Sequence, residues 1–112
     1  MAFLQLRDVT PHEPAPGFAG RFVHSESLTA GYWEIREGAT LPEHRHPQEM
    51  IVTILEGRFE IVVDGVARTL EPGVVAVIPS GVPHGGRAIT ACRILDVWSP
   101  PRTDYPGWRS PG

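Results

Sequence analysis

From residue 28 onward, apolar and polar side chains alternate over short runs, and each run ends at glycine or proline. Residues 32–36, Tyr-Trp-Glu-Ile-Arg, alternate with period two and stop before Gly38, the pattern of a half-buried strand. Residues 50–56 are apolar on both faces and end at Gly57, as a strand covered on both sides would be. Residues 58–63 lead into Asp64-Gly65, a two-residue turn signal that folds a hairpin back through residues 66–70. Glu71-Pro72-Gly73 and Pro79-Ser80-Gly81 bracket residues 74–78, and residues 88–98 supply one or two final strands. No segment holds a 3.6-residue apolar period over three turns. The pattern predicts an all-β sandwich or barrel. Residues 10–17 read as an irregular loop, and residues 99–112, with Pro100, Pro101, Pro106 and Pro111, as an extended tail crossing the surface.

A chain of 112 residues has room for one domain with one core. It divides into an N-terminal strand and loop segment (1–27), a barrel core (28–98) and the proline-rich tail (99–112). A net charge of −3 gives no electrostatic reason to expect nucleic acid or an anionic membrane as partner. No apolar stretch approaches the length of a membrane span, and the N-terminus lacks a signal-peptide pattern. Cys92 is alone, so an intrachain disulfide is impossible; with the missing signal this predicts a cytoplasmic protein. All ten basic residues are arginine, which excludes Schiff-base chemistry through lysine. There is no Gly-x-Ser-x-Gly elbow, and Cys92 lies inside an apolar run, as a small buried hydrophobe does.

The candidate chemistry lies in histidines. His44 and His46, separated by one residue on an extended segment, project to the same side of a strand. His84, arriving from a distant strand, closes a third side of a metal site. Imidazole is the commonest neutral ligand for borderline divalent transition metals. His12 and His24 have no such context and read as ordinary loop or surface residues. Asp96 and Trp98 share one face of a strand; if that face is interior, a carboxylate sits beside an aromatic ring and near the metal, and otherwise Asp96 faces solvent. Arg102 reads equally as a solvated tail residue or a bidentate clamp for a carboxylate. Tyr32 and Tyr105 are possible pocket contacts, Trp33 core or a dimer surface, and Glu43 an exposed neighbour of the histidines.

Gly38, His44, His46 and Gly57, followed by Pro72-Gly73, Pro79 and His84, resemble the two motifs of the cupin superfamily across residues 30–98. The resemblance implies an antiparallel jelly-roll β-barrel of the RmlC-like kind with a divalent transition metal inside, whether zinc, nickel, iron or manganese. The chain departs from the motif at Met50, where the family carries Glu or Gln. A thioether suits soft metals and is a poor ligand for hard ones, so Met50 or Gln48 is left as the fourth contact beside three histidines and water. The stretch Asp96-Val-Trp98 and Arg102 is similar to the end of the KdgF-like cupins of pectin and alginate breakdown. That likeness implies conversion of 4,5-unsaturated uronate monosaccharides to linear keto sugars. Asp96 and Arg102 would then be catalytic, with Trp98 and Arg102 binding the acidic sugar. Two other readings stay open: a metal-dependent dioxygenase, and a non-catalytic cupin that binds a small ligand or metal. The doubly apolar strands and residues 3–6 predict a homodimer.

Overall fold

The computed structural model describes residues 2–109. A short 3-10 turn (Leu6–Asp8) precedes ten strands: β1 (His12–Ala15), β2 (Phe18–His24), β3 (Thr29–Ile35), β4 (Thr40–His44), β5 (Glu49–Glu56), β6 (Phe59–Val63), β7 (Val66–Leu70), β8 (Val75–Ile78), β9 (His84–Ala88) and β10 (Cys92–Ser99). They form a six-stranded sheet ordered β1-β2-β3-β10-β5-β8 and a four-stranded sheet ordered β4-β9-β6-β7, with every pairing antiparallel. Among the described residues no α-helix occurs, and no helix is long and apolar enough to cross a membrane.

The two sheets face each other as a jelly roll, with core side chains supplied alternately along the strands. Met50, Val52 and Ile54 of β5, and Cys92, Ile94 and Trp98 of β10, point inward to meet Phe59 and Ile61 of the smaller sheet. The expected closed barrel is not formed. The ladders end at β1 and β8 in one sheet and at β4 and β7 in the other, and among the described residues no ladder joins those edges. The apolar character of both faces of β5 has a plain geometric consequence. Its outward Ile51 and Leu55, with Val75 and Val77 of β8, remain exposed on the outer surface.

Two further expectations are corrected. Residues 10–17 are not an irregular loop, because β1 pairs with β2 there. Pro14 is tolerated since β1 is the outermost strand, where one missing N–H interrupts nothing. Of the one or two strands expected over residues 88–98, β10 starts at Cys92 after a turn at residues 89–91, and β9 ends at Ala88. The tail does not simply cross the surface, since residues 100–105 fold back and bury Arg102 to 7% exposure. Pro111 lies outside the described residues. The Asp64-Gly65 hairpin is present as read, with φ of 48° and 80° at its two central positions, the left-handed pair that a tight hairpin requires.

Candidate metal centre and cavity

β4 and β9 pair so that His44, the last residue of β4, lies opposite His84, the first of β9. Their rings come to 4.3 Å between centroids. His46 is not on the same strand as His44, because β4 has already ended. It sits in the connection to β5, where its carbonyl accepts the Gly81 N–H at 2.9 Å and its ring stands 4.8 Å from that of His84. One potential ligand atom from each of the three rings lies within 4.8 Å of the others.

Each ring is oriented by the backbone. His44 Nδ1 lies 3.0 Å from the Pro42 carbonyl, His46 Nδ1 3.0 Å from that of Gln48, and His84 Nδ1 2.9 Å from that of Val82. A carbonyl oxygen can only accept, so each Nδ1 must carry the hydrogen, and in the neutral ring Nε2 is then the nitrogen with the lone pair. That is the tautomer in which an imidazole ligates a metal through Nε2 while its other nitrogen is tied to an outer partner. His46 Nε2 is buried with no hydrogen-bond partner among the described residues, the orphaned acceptor that a metal ion would satisfy. Burial, with Arg102 and His84 nearby, lowers His46 from 6.5 to about 4, and burial likewise lowers His84. Both are therefore neutral, ligand-competent rings at neutral pH. The donor set fits a borderline divalent metal.

The three histidines line a cavity of about 180 Å³ between the sheets. Its walls are mostly apolar, Met50, Leu41, Phe59 and Ile78 among them. Asp96, Trp98, Arg102 and Tyr105 supply further polar groups. Asp96 shares the inward parity of Ile94 and Trp98 on β10. Its Oδ2 accepts the Trp33 Nε1–H at 3.0 Å, while Oδ1 is buried without a partner among the described residues. Burial pushes the carboxyl up from 3.8 to about 7, with Trp33 and Arg102 pulling only part of the way back. Trp98 is 2% exposed, and its ring packs against Gly31, where a Cβ would come within 2.7 Å of it. Its indole N–H is also buried, with no hydrogen-bond partner among the described residues.

Arg102 is neither a solvated tail residue nor an open clamp. Its Nε and Nη2 donate to the two carboxylate oxygens of Asp104 at 2.9 and 2.8 Å. The guanidinium lies over the Tyr105 ring at 4.1 Å and the Trp98 ring at 5.1 Å. Of the two candidates for a fourth metal contact, Met50 is buried and lines the cavity. Gln48 does not line it; its Nε2 donates instead to the Pro101 carbonyl at 3.1 Å and tethers the tail.

Local sequence signals did not mark several residues that shape the site. Trp33 orients Asp96 from the neighbouring strand. Thr29 Oγ1 accepts the Arg102 backbone N–H at 2.9 Å and lies 2.8 Å from His24 Nδ1. His24 Nε2, facing the Pro106 carbonyl at 2.8 Å, must carry its hydrogen. His24 thus pins the tail rather than standing as an idle surface residue. Glu43 is exposed, and Cys92 is buried with its Sγ 3.1 Å from the Arg58 carbonyl.

A family model described as a cupin domain matches residues 31–98. The fold superposes on an RmlC-like cupin from Shewanella frigidimarina NCIMB 400 with a TM-score of 0.86 and 26% identity, covering 93% of this chain and 95% of that one. It superposes equally on KdgF from Halomonas sp., with a TM-score of 0.86 and 27% identity over 93% of this chain and 97% of that one. The chain is also 40% identical over 72 residues to dimethylsulfoniopropionate lyase DddQ of Ruegeria pomeroyi, a stretch that is 63% of this chain and 35% of that protein. The chain therefore matches about a third of the length of that curated relative.

Proposed function

Because the chain belongs to the cupin family, we propose that it holds a divalent metal on His44, His46 and His84 and converts 4,5-unsaturated uronate monosaccharides to linear keto sugars. The observation that carries this reading is Asp96: a buried carboxyl with one oxygen unpartnered, in the same cavity as the histidines, titrating at about 7. A group with that pKa can both take and give a proton at neutral pH. The substrate class is what the resemblance of Asp96, Trp98 and Arg102 to the KdgF-like cupins implies, and the likeness in fold to KdgF from Halomonas sp. supports it.

The reaction is an isomerisation, so atoms and charge balance within the sugar. The anomeric hydroxyl gives up its proton as the bond from the anomeric carbon to the ring oxygen breaks. The ring oxygen leaves as an enolate, which takes a proton on carbon and becomes a ketone. Asp96 receives the first proton and delivers the second. Trp33, donating to Oδ2, holds the carboxyl so that Oδ1 is the working atom. The apolar walls keep competing water from the enolate. The metal, when bound, supplies Lewis-acid stabilisation of negative charge on a substrate oxygen.

The test is loss of enol absorbance on incubating metal-loaded protein with unsaturated galacturonate. Asp96→Asn should slow it by about 10²–10⁴-fold, the usual worth of a positioned acid–base group, and a chelator should abolish it. Unchanged turnover in Asp96→Asn would sink the assignment. The stretch shared with the dimethylsulfoniopropionate lyase favours a second reading, a lyase acting on that compound. Turnover of dimethylsulfoniopropionate with none of the uronate would decide for it.

A further inference from the structure

The segment after β10 closes part of the cavity without belonging to either sheet. Residues 100–106 lie beyond the end of β10 at Ser99, and they bring Arg102 and Tyr105 into the cavity lining with Asp96 and Trp98. The segment is folded on itself, since the Thr103 N–H donates to the Pro101 carbonyl and the Tyr105 N–H to the Arg102 carbonyl, each at 3.1 Å. Its buried charge is matched from within, because Arg102 donates to both carboxylate oxygens of Asp104. Among the described residues, no backbone–backbone hydrogen bond ties the segment to a strand. Its hydrogen bonds to the rest of the fold run through three side chains instead. Gln48 Nε2 donates to the Pro101 carbonyl at 3.1 Å, Thr29 Oγ1 accepts the Arg102 N–H at 2.9 Å, and His24 Nε2 donates to the Pro106 carbonyl at 2.8 Å. Tyr105 completes the attachment, stacked on Phe22 at 4.3 Å between centroids and edge-on to Trp33 and Trp98. Breaking these three hydrogen bonds and unseating one ring frees the whole segment. No charge is stripped of its partner, which would be the costliest step, and β10 keeps its ladders to β3 and β5.

We propose that residues 100–106 form a strap that swings away as a unit, its ion pair and turns intact, and opens the cavity to solvent while both sheets stay folded. Gln48 and His24 are the latches, one near each end of the strap. Arg102 and Tyr105 are the strap side chains against the Trp98 ring, so opening uncovers Trp98. The inference concerns access to the cavity and holds whichever ligand the cavity takes.

The test is hydrogen exchange followed by NMR on the full chain, with no metal or ligand added. Two hydrogens report the strap. One is the Arg102 amide, bonded to Thr29; the other is the Trp98 indole N–H, which has no hydrogen-bond partner among the described residues and is protected by exclusion of water alone. The amides of Val52 and Ile94, each on a strand paired on both sides at that position, report unfolding of the sheets. Protection at the two strap reporters should be at least about a hundredfold lower than at Val52 and Ile94, and should depend less steeply on urea, as local opening does. Ile54→Val weakens a core that the closed and open forms share. It should speed exchange at Val52 and Ile94 by up to about tenfold and leave the strap reporters within about twofold. His24→Ala loosens the closed form and should speed both strap reporters together by about tenfold. Gln48→Met, which removes the other latch, should do the same and serves if His24→Ala does not fold. Strap reporters that follow Val52 and Ile94 in urea and in Ile54→Val would overturn the inference, since the tail would then open only with the whole fold. Faster exchange at Arg102 without faster exchange at Trp98 in the latch variants would also overturn it, because the freed tail would not uncover the cavity.

Discussion

Replacing Asp96 with asparagine should stabilise the metal-free protein at neutral and alkaline pH and do little in acid. The asparagine oxygen can still accept the Trp33 Nε1–H that Asp96 Oδ2 accepts at 3.0 Å, so the geometry survives. The ionic penalty does not. Burial raises the Asp96 carboxyl from 3.8 to about 7, so the folded chain binds this proton more tightly than the unfolded chain does. Between those two values the folded state carries more protons, and stability must fall as pH rises. The stabilisation is fully present below the ordinary value and is lost as pH climbs through about 7. At ~1.36 kcal/mol per decade in proton affinity, the interval from 3.8 to about 7 corresponds to roughly 4 kcal/mol. That figure is an upper limit, because entry of water beside the carboxylate relieves part of the charge penalty. His46 and His84, lowered by burial, push stability the other way, but they are common to both proteins and cancel in the difference. The assay is urea unfolding of both proteins in chelator at about pH 4 and about pH 8. The advantage of Asp96→Asn should grow from near zero to as much as several kcal/mol. A difference that stays flat across that range refutes the assignment of Asp96 as a buried, reluctantly ionised group. The same variant should be the more stable and the less active protein, the usual exchange at a site built for chemistry.

Thr29→Val should leave the Arg102 backbone N–H and His24 Nδ1 without their shared hydroxyl, costing about 1–3 kcal/mol and speeding tryptic cleavage at Arg102 and Arg109. Gly31→Ala should drive a methyl to within 2.7 Å of the Trp98 ring; overpacking of about 1–3 kcal/mol and a changed near-ultraviolet circular dichroism spectrum are the expected result. Zinc at about a hundred times its dissociation constant should raise stability by ~2.7 kcal/mol, and His84→Ala should remove most of that gain in a thermal melt.

The sequence carried the strands wherever turn chemistry was local. Asp64-Gly65 and the Pro-Gly turn at residues 72–73 punctuate β6, β7 and β8 without help from the rest of the chain. It carried β1 and β2 poorly. Pro14 argues against a strand unless the position is known to be an edge, and Gly20 blunts the inward alternation of Phe18 and Phe22. The three histidines were legible because two lie close together and the third follows a recognisable turn. Their convergence nevertheless depends on β4 pairing with β9, and His46 reaches the site from a loop rather than from the strand that was expected. The sequence leaves Arg102 evenly between a solvated tail residue and a carboxylate clamp, because nothing in a linear chain says that Asp104, two residues on, will fold back to fill its fork. The roles of Trp33, Thr29 and His24 arise from contacts between distant segments, where no local period operates.

The central claim, three rings turned by the backbone to present Nε2 to one ion, is tested most directly by heteronuclear NMR of nitrogen-labelled histidine in the full chain. The geometry predicts that His44, His46 and His84 are protonated on Nδ1, and that zinc moves their Nε2 resonances together at one equivalent. His24, held by the Pro106 carbonyl, should be protonated on Nε2 and indifferent to zinc, an internal control of opposite tautomer. Nε2-protonated rings at His44, His46 or His84, or resonances that ignore zinc, would contradict the account.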